Sequence, residues 1–294
     1  MSDQRPDWLF VDGSSFIFRA FHGVPRSVRA PDGHLVNAVR GFMETLVRLI
    51  GDRRPRRVAV ADDADWRPAW RVELIPGYKA HRTAEPVPPE LEPQMPIVRE
   101  FLAAIGVDFV GVPGYEAEDV IAAWTSNDPG TMEIASGDRD LFALVEDPRV
   151  RVLYPERAGL AVVDEADVSR RYGIPGRSYA DFAILRGDPS DGLPGLKGVG
   201  AVAAAALVRA HGGVPGVIRD ARLSDSDRDY LARALQVVTP ARQLNVALPS
   251  GRRHAYPADR AALHRLGEVH GVTATADRLV HALAATVAAG DSDA

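Results

Sequence analysis

Two tight groups of acidic residues lie close together near the middle of the 294-residue chain. Glu116, Glu118 and Asp119 stand in the segment GYEAEDVIAAW, and Asp138 and Asp140 stand in MEIASGDRDLFALV. Carboxylates held close together repel one another unless protons or a divalent cation neutralise them, and Mg²⁺ is the common cation for a site made only of oxygen ligands. The pairing of the two groups therefore predicts a metal site.

Each group taken alone also has a purely structural explanation. GYEAEDVIAAW reads as the opening of a helix, where acidic residues cap the first turn and suit the positive end of the helix dipole. SGDRD follows a short apolar run and precedes the helical pattern LFALV, which predicts a turn from strand to helix at the carboxyl edge of a sheet. Open α/β folds bind their ligands at that edge. The two groups together favour the metal site over simple capping.

Further carboxylates follow other predicted strands. The apolar run in WLFVDGSSFIFRAFH ends on Asp12, and a buried strand from Val58 to Ala61 ends on Asp62 and Asp63. Capping of the next helix explains Asp12 equally well. Three predicted strands thus end in carboxylates, which would meet at one edge of a parallel sheet.

A second informative stretch is DFAILRGDPSDGLPGLKGVGAVAAAALV, in which Asp188 and Asp191 flank a Pro-Ser turn. Backbone N–H groups in a glycine-rich turn at a helix start can approach a phosphate closely, and Lys197 adds a positive charge there. The segment lacks the GxxxxGK[ST] pattern of a P-loop, and a tight connection between helices is the alternative explanation. The glycines of this turn are Gly195, Gly198 and Gly200.

The elements that must position these residues can be outlined from the apolar pattern. Helical spacing predicts a core helix from Leu35 to Ile50, and VRVLYP and VVDEADVSRRYGI predict two strands with a helix that begins at Asp164. The segment TAEPVPPELEPQMP has five prolines in fourteen residues, so a mobile, partly helical connection over a cleft is expected, with a helix between Glu90 and Ile105. From Gly212 onwards we expect helices, including 225–238 and 257–266, and a disordered GDSDA tail.

Composition limits the classes of protein. The hydrophobic fraction of 46% allows a real core in one large domain or two, and the absence of cysteine excludes disulfides, thiolate catalysis and Cys-ligated zinc. The chain has no apolar run of membrane length and no secretory signal at MSDQRPDW, so a cytoplasmic protein without membrane contact is expected. His254, His264, His270 and His281 are not at ligand spacings.

The net charge of -5 looks unsuited to a nucleic-acid partner until the carboxylates of one site are counted separately from the rest of the chain. Without the nine carboxylates assigned below to one site, the remainder of the chain is -5 + 9 = +4. Lysine contributes only Lys79 and Lys197, so arginine makes up 35 - 2 = 33 of the basic residues. That excess indicates genome composition more than phosphate binding.

Taken in order, the motifs resemble those of the 5′-nuclease family, which includes the nuclease domain of bacterial DNA polymerase I and the flap endonucleases. The segments that carry the resemblance are VDGSSFIFRAFH, VADDADW, WR, GYKAHR, GYEAEDVI, SGDRDLFALV and LRGDPSDGLPGLKGVG. The resemblance covers Trp8 to about Val208 and continues more weakly to about residue 285. With no polymerase domain following, the chain is expected to be a free-standing nuclease.

The resemblance implies an α/β fold with a mostly parallel central sheet flanked by helices. It implies a nuclease core at 1–175 with a helical arch at about 76–105, and a helical DNA-binding region at 176–294 with a helix-three-turn-helix motif at about 184–210. The implied activity is divalent-metal-dependent 5′-3′ exonuclease and flap endonuclease cleavage in DNA replication and repair. The implied substrates are DNA with 5′ flaps, nicks or free 5′ ends, and RNA primer ends, with no organic cofactor.

By the same resemblance, two or more Mg²⁺ ions, replaceable by Mn²⁺, would be held by nine carboxylates, and K⁺ would bind at the helix-three-turn-helix motif. Lys79 and Arg82 match the family's catalytic residues at the foot of the arch, and Tyr78 could stack on an unpaired base. Duplex DNA would be bound by Gly195, Lys197, Gly198 and Gly200. The nine metal ligands would be Asp12, Asp62, Glu116, Glu118, Asp119, Asp138, Asp140, Asp188 and Asp191.

The chain departs from the family pattern in several places. Glu118 stands where bacterial members usually have Asp, Asp63 stands where Ala is usual, and the segment from Asp62 to Arg71 is two residues longer. Gly192 replaces the usual Asn after Asp191, which predicts a looser turn there.

Two other functions compete with a nuclease. A small-molecule phosphatase would typically have Asp-x-Asp after the first strand, whereas this chain has Asp12-Gly-Ser14. A DNA-binding module of the same fold, catalytically weak, would be expected to have lost some of the nine carboxylates, and all nine are present.

Overall fold

A six-stranded, mostly parallel sheet forms the centre of the computed structural model, which describes residues 5–84 and 87–290. The strand order is β3-β2-β1-β4-β5-β6, and every neighbouring pair is parallel except β5 and β6. This confirms the predicted α/β fold. The strands are β1 (Trp8–Asp12), β2 (Arg57–Ala61), β3 (Asp108–Val110), β4 (Met132–Ala135), β5 (Val150–Glu156) and β6 (Gly159–Val163).

Helices cover both faces of the sheet. They are α1 (Gly13–Gly23), α2 (Asn37–Arg53), α3 (Ala69–Leu74), α4 (His81–Ala84), α5 (Gln94–Ile105), α6 (Ala117–Asn127), α7 (Glu165–Tyr172), α8 (Tyr179–Arg186), α9 (Ala201–His211), α10 (Val214–Ile218), α11 (Asp225–Val238), α12 (Arg260–His270) and α13 (Thr273–Gly290). Strand β1 is buried along its whole length, as expected for a strand covered on both faces. None of the helices in these described ranges is long and apolar enough to cross a membrane.

Alternate side chains of β1 enter two hydrophobic cores. Trp8 and Phe10 pack in one core with Trp124 of α6 and with residues of α8 to α11. Leu9 and Val11 pack in the other with α1, α2, α5 and the C-terminal helices. Both cores contain residues from before and after position 175, so the packing runs across the predicted domain boundary, which stays a prediction.

The predicted elements are largely present, with shifted ends. The strands after 150 and 159, the helix capped by Asp164 and the helix at Asp225–Val238 are as predicted. The helical pattern LFALV forms a single 3₁₀ helix at Asp140–Leu144. The helix expected at 257–266 lies at Arg260–His270, because Asp259 caps it by accepting from Ala262 N.

The predicted arch contains helix α4, a run of turns and helix α5. Helix α5 begins at Gln94 and is preceded by turns in which Leu91 N donates to Pro88 O and Gln94 N donates to Leu91 O. The middle of the arch, at residues 85–86, lies outside the described residues, as do residues 291–294 of the tail that was predicted to be disordered.

Candidate active site

The site lies where three neighbouring strands end. Asp12 is the last residue of β1, Asp62 follows β2, and Asp138 follows β4 after a two-residue turn. Because β1 lies between β2 and β4 in the sheet, these three ends meet at one edge. They open into a cavity of about 1040 Å³.

Asp12 has the capping role that the sequence left open, and it also faces the cavity. Its Oδ1 accepts from Ser15 N at 3.0 Å, while its Oδ2 accepts from Ser136 Oγ at 2.5 Å. Burial and the nearby charge of Asp63 raise the pKa of Asp12 to about 7. Capping and metal binding are therefore not exclusive at this position.

Three carboxylates of the cavity come close together. Glu118, at the start of α6, and Asp138 and Asp140, after β4, each place one oxygen within 4.8 Å of the others'. Burial raises the pKa of all three, and repulsion from other carboxylates adds to the effect. This oxygen-only, mutually repelling set fits a hard divalent cation.

Asp188 and Asp191 complete the cavity wall from the loop between α8 and α9. The turn is closed by backbone bonds from Asp191 N and Leu193 N to Asp188 O. The looser turn predicted at Gly192 is wrong: this residue has φ +70°, and a Cβ there would lie 1.9 Å from Gly77 O. Glycine therefore lets the loop pack against the foot of the arch, where Lys79 N donates to Asp191 O at 3.0 Å.

Arg71 is a site residue that the sequence reasoning missed. Its guanidinium is fully buried, forms an ion pair with Glu116, and lies 3.1 Å from Glu118 Oε1 and 2.8 Å from Asp119 Oδ1. Arg71 thus fixes all three acids of GYEAEDVIAAW from behind the cavity. The available signal was the WR pair ahead of GYKAHR, which the general excess of arginine obscured.

The structure does not place Asp119 with the other predicted metal ligands. It is fully buried and, unlike the other eight carboxylates, does not line the cavity. Its Oδ1 accepts from Arg71 and from Ala241 N, and its Oδ2 accepts from Glu116 N. Asp119 completes a capping box with Glu116 and supports Arg71.

Lys79 and Arg82 lie on the same wall of the cavity. Lys79 is buried with φ +45°, and its Nζ donates to Glu116 Oε1 and lies 3.9 Å from Asp191 Oδ1. Burial opposes its charge, but Tyr78 and Glu116 outweigh that effect and hold the pKa of Lys79 well above its usual value. Arg82 Nη1 lies 3.8 Å from Glu116 Oε1. The two predicted cations are therefore brought to the carboxylates.

Tyr78 has no ring face available for stacking on a base. Only 1% of the residue is exposed, and its hydroxyl donates to Glu116 Oε2 at 2.6 Å. The guanidinium of Arg71 lies over its ring, 5.6 Å from the centroid, and Lys79 Nζ lies 5.0 Å from it. The predicted stacking role is not compatible with this packing, and Tyr78 instead orients Glu116.

Asp63, which the family comparison treated only as a departure, also lines the cavity. Its Oδ1 accepts from Ala117 N at 2.8 Å, so it caps the first turn of α6 beside Glu116. Burial and the charge of Glu116 raise its pKa to about 6. Asp63 therefore adds a further carboxylate to those that the sequence predicted.

The glycine-rich turn lies outside the carboxylate cavity and is mostly exposed. Gly195 has φ +69° and donates its N–H to Tyr230 Oη at 3.1 Å, so that group is not available to a phosphate as predicted. Gly198, with φ +77°, Gly200 and Lys197 are exposed ahead of α9. The helix-three-turn-helix motif stays a prediction.

Comparison with known proteins agrees with this geometry. The family model described as the 5′-3′ exonuclease, N-terminal resolvase-like domain matches residues 7–173. A 5′-3′ exonuclease of Streptomyces coelicolor is 45% identical, over 94% of this chain and 100% of its own length. DNA polymerase I of Mycobacterium bovis is 34% identical over 96% of this chain, which spans 32% of that protein.

The fold has solved counterparts. The flap endonuclease of bacteriophage T5, solved as a complex with DNA and metal ions, superposes with a TM-score of 0.66 at 16% identity. The match covers 96% of this chain and 99% of the T5 protein. At this identity the likeness shows a shared fold.

Proposed function

Because this chain belongs to the 5′-3′ exonuclease family, we propose that it is a divalent-metal-dependent, structure-specific 5′ nuclease acting on DNA. The observation that carries the proposal is the convergence of eight predicted carboxylates, with Lys79 and Arg82, in one cavity at the carboxyl edge of the sheet. The reaction is hydrolysis of phosphodiester bonds near 5′ ends, flaps and nicks. Its place in the cell is DNA replication and repair, with RNA primer ends as additional substrates.

Two Mg²⁺ ions are the proposed cofactors, with Mn²⁺ as a substitute. When bound, such ions make a water nucleophilic and stabilise the leaving oxygen without a protein nucleophile. The trio Glu118, Asp138 and Asp140 is the proposed centre of one site, since its oxygens lie within 4.8 Å of one another. The remaining ligands would be drawn from the other cavity carboxylates: Asp12, Asp62, Glu116, Asp188 and Asp191.

Lys79 and Arg82 are the proposed electrostatic catalysts. Both are held at the cavity by Glu116. A fixed positive charge beside the scissile phosphate stabilises the charge that grows there in the transition state. Arg71 and Tyr78 act through Glu116, which they hold in place.

The remaining DNA contacts are proposed outside the cavity. The exposed turn with Lys197, Gly198 and Gly200 suits the phosphates of a duplex, with K⁺ bound at the same turn, and Gly195 shapes that turn. The region 1–175 would carry out the hydrolysis, and the arch at 76–105 within it would lie over the free 5′ end. The region 176–294 would contact the duplex. No segment of the sequence reads as a recognition helix that presents amide side chains to a groove, so structure and not base sequence would select the substrate.

The experiment is digestion of one 5′-labelled flap in several unrelated base sequences, with a second set in which a bulky adduct blocks the 5′ end. The proposal predicts equal cutting across sequences and slower cutting of the blocked flap. Strong sequence dependence, or equal cutting of a covalently closed circle without a junction, would contradict it. A catalytically weak DNA-binding protein, the alternative, would bind every flap and cut none.

A further inference from the structure

Two large aromatic side chains are exposed at the cavity. Among the large apolar side chains in the described parts of the chain, Phe18 is 49% exposed and Trp66 is 36% exposed, and both line the carboxylate cavity. An aromatic side chain that is partly exposed at a polar cavity is suited to contact a ligand, because its rings supply a large apolar area. Trp66 lies in the segment from Asp62 to Arg71, the one that is longer than the family pattern.

The backbone around Trp66 is fixed on both sides. Ahead of it, Asp63 N donates to Ser14 Oγ at 2.9 Å and Asp65 N donates to Tyr115 O at 3.3 Å. After it, Arg67 Nε donates to Tyr78 O at 2.8 Å, and Arg67 Nη2 donates to Pro76 O at 3.1 Å. The loop that carries the indole is therefore held in place, so little backbone freedom is lost when the indole binds.

Trp66 is also tied to a cation of the site. Arg82 Nη1 donates to the carbonyl oxygen of Trp66 at 3.0 Å, while the same nitrogen lies 3.8 Å from Glu116 Oε1. A nucleotide whose phosphate contacts Arg82 would bring its base near this loop. The Arg82 guanidinium is bonded to the backbone of Trp66, and both residues line the same cavity, so an aromatic ring for the base and a cation for the phosphate are available to one nucleotide.

We propose that Trp66 stacks on an unpaired base of the 5′ strand next to the scissile phosphate, and so forms a base-binding subsite of this chain. The inference rests on the proposed nuclease function and adds a contact to it. Stacking accepts every base, because each base has an aromatic face, so the subsite agrees with selection by structure. Abolishing it should weaken flap binding on the order of 30-fold, the middle of the range for loss of one stacked base.

Tryptophan fluorescence tests the contact directly. Trp8 and Trp124 are fully buried, and Trp70 donates Nε1–H to Gly114 O, so Trp66 is the indole most open to DNA. The flap is bound in the presence of Ca²⁺, a divalent cation that also takes oxygen ligands. Binding should quench the tryptophan emission of the wild type and of Trp70→Phe. Trp66→Phe should lose the quench yet bind within about threefold of wild type, since Phe also stacks.

An abasic scan of the flap locates the base. At the nucleotide whose base stacks on Trp66, an abasic site should weaken flap binding by the wild type about as much as Trp66→Ala does. The same abasic site should not weaken flap binding by Trp66→Ala any further. Trp66→Leu, which keeps the apolar bulk, separates loss of stacking from loss of folding, and should bind as poorly as Trp66→Ala. Equal quenching in Trp66→Phe, or additive losses at every flap position, would overturn the subsite.

The same assays separate this inference from the proposed function. If the wild type cleaves flaps but shows no quench, and if the losses from Trp66→Ala and from the abasic sites are additive, the proposed nuclease function holds and the subsite is wrong. If the wild type cleaves no flap in any divalent metal, the proposed function itself has failed.

Discussion

Neighbouring carboxylates of the site differ sharply in their electrostatic surroundings. Burial opposes the charge of Glu116, but Lys79 and Arg71 outweigh that effect, and its pKa is lowered. Glu118, two residues further on, has its pKa raised well above the usual value by burial, with Arg71 offsetting only part of it. Glu116 is thus neutralised by the protein's own cations, whereas Glu118 gains most from a metal ion.

Lys79 is predicted to act on the reaction and not merely on binding. Lys79→Ala should lower the single-turnover rate at saturating enzyme by about 10²- to 10³-fold, because one fixed charge beside the phosphate is lost. Lys197→Ala, which removes the chain's other lysine from an exposed turn, is the matched control. It should reduce the slope of log affinity against log salt by about one unit and keep the saturated rate. Weaker binding with normal turnover in Lys79→Ala would contradict the assignment.

Asp12 makes stability depend on pH in a definite direction. Its pKa is raised from 3.8 to about 7, so the folded protein binds this proton more tightly than the unfolded chain. Stability from this group is present at low pH and is lost as pH rises from about 4 to about 7. In metal-free urea unfolding, the free energy of unfolding should therefore fall less over that range in Asp12→Asn than in wild type.

Above about pH 7, addition of Mg²⁺ should restore the free energy of unfolding that the wild type has lost, because the metal replaces the proton as the neutralising charge. The variant should recover less. Identical pH slopes for the two proteins, or no effect of Mg²⁺ on the wild type, would show that Asp12 is not part of a charged cluster.

At the scale of elements, helix α5 is connected directly to the proposed metal site. Arg99 Nη2 donates to Asp62 Oδ2 at 2.6 Å, and its guanidinium lies over the ring of Phe109, 5.7 Å from the centroid. Burial raises the pKa of Asp62, and Arg99 partly offsets this. The distal leg of the arch thus supplies a cation where a metal ion is proposed to bind.

Arg99→Gln should tighten metal binding. Because Arg99 is 54% exposed, the competing ion pair is screened by solvent, and its loss should lower the dissociation constant for Mg²⁺ by about 3- to 10-fold. Calorimetric titration without DNA measures this. Arg177→Gln, which breaks a 2.7 Å pair with Glu165 between residues that do not line the cavity, should leave the constant unchanged. Weaker Mg²⁺ binding in Arg99→Gln would contradict the competition.

The elements also show how far the sequence reaches. Asp12, Asp62 and Asp138 could be placed because each follows an apolar strand, and parallel strands end at one edge. The burial of Tyr78 and Asp119 could not be predicted, because it depends on contacts with Glu116, Arg71 and Ala241 that lie far apart in sequence.

The roles of Arg71 and Gly192 also could not be predicted from the sequence, because they depend on contacts across the fold. The role of Arg71 exists only once the loop after β2 is packed behind α6, and its signal in the sequence, the WR pair, is obscured by the excess of arginine. The turn around Gly192 alone predicts a looser loop, whereas Gly77, its neighbour across the fold, explains why glycine stands at this position.

Across the whole molecule, negative charge is concentrated in the cavity, whereas the rest of the chain carries a net positive charge. The site gathers carboxylates inside one cavity, and the rest of the chain is net positive once the nine predicted ligands are set aside. Such a molecule would be expected to bind phosphates over its surface and to admit them to the cavity only with cations present. DNA binding and cleavage should therefore be separable by a single substitution in the cavity.

The measurement that tests this most directly is cleavage and binding of one 5′-labelled flap by wild type and by Asp138→Ala, with Mg²⁺ and with EDTA. Carboxylates repel phosphate, so Asp138→Ala should retain flap affinity within about threefold, since a single like charge is removed at a screened distance. It should show no cleavage at enzyme excess, and the wild type should cut only with Mg²⁺. Cleavage by the wild type in EDTA, or near-normal cleavage by Asp138→Ala, would contradict the account.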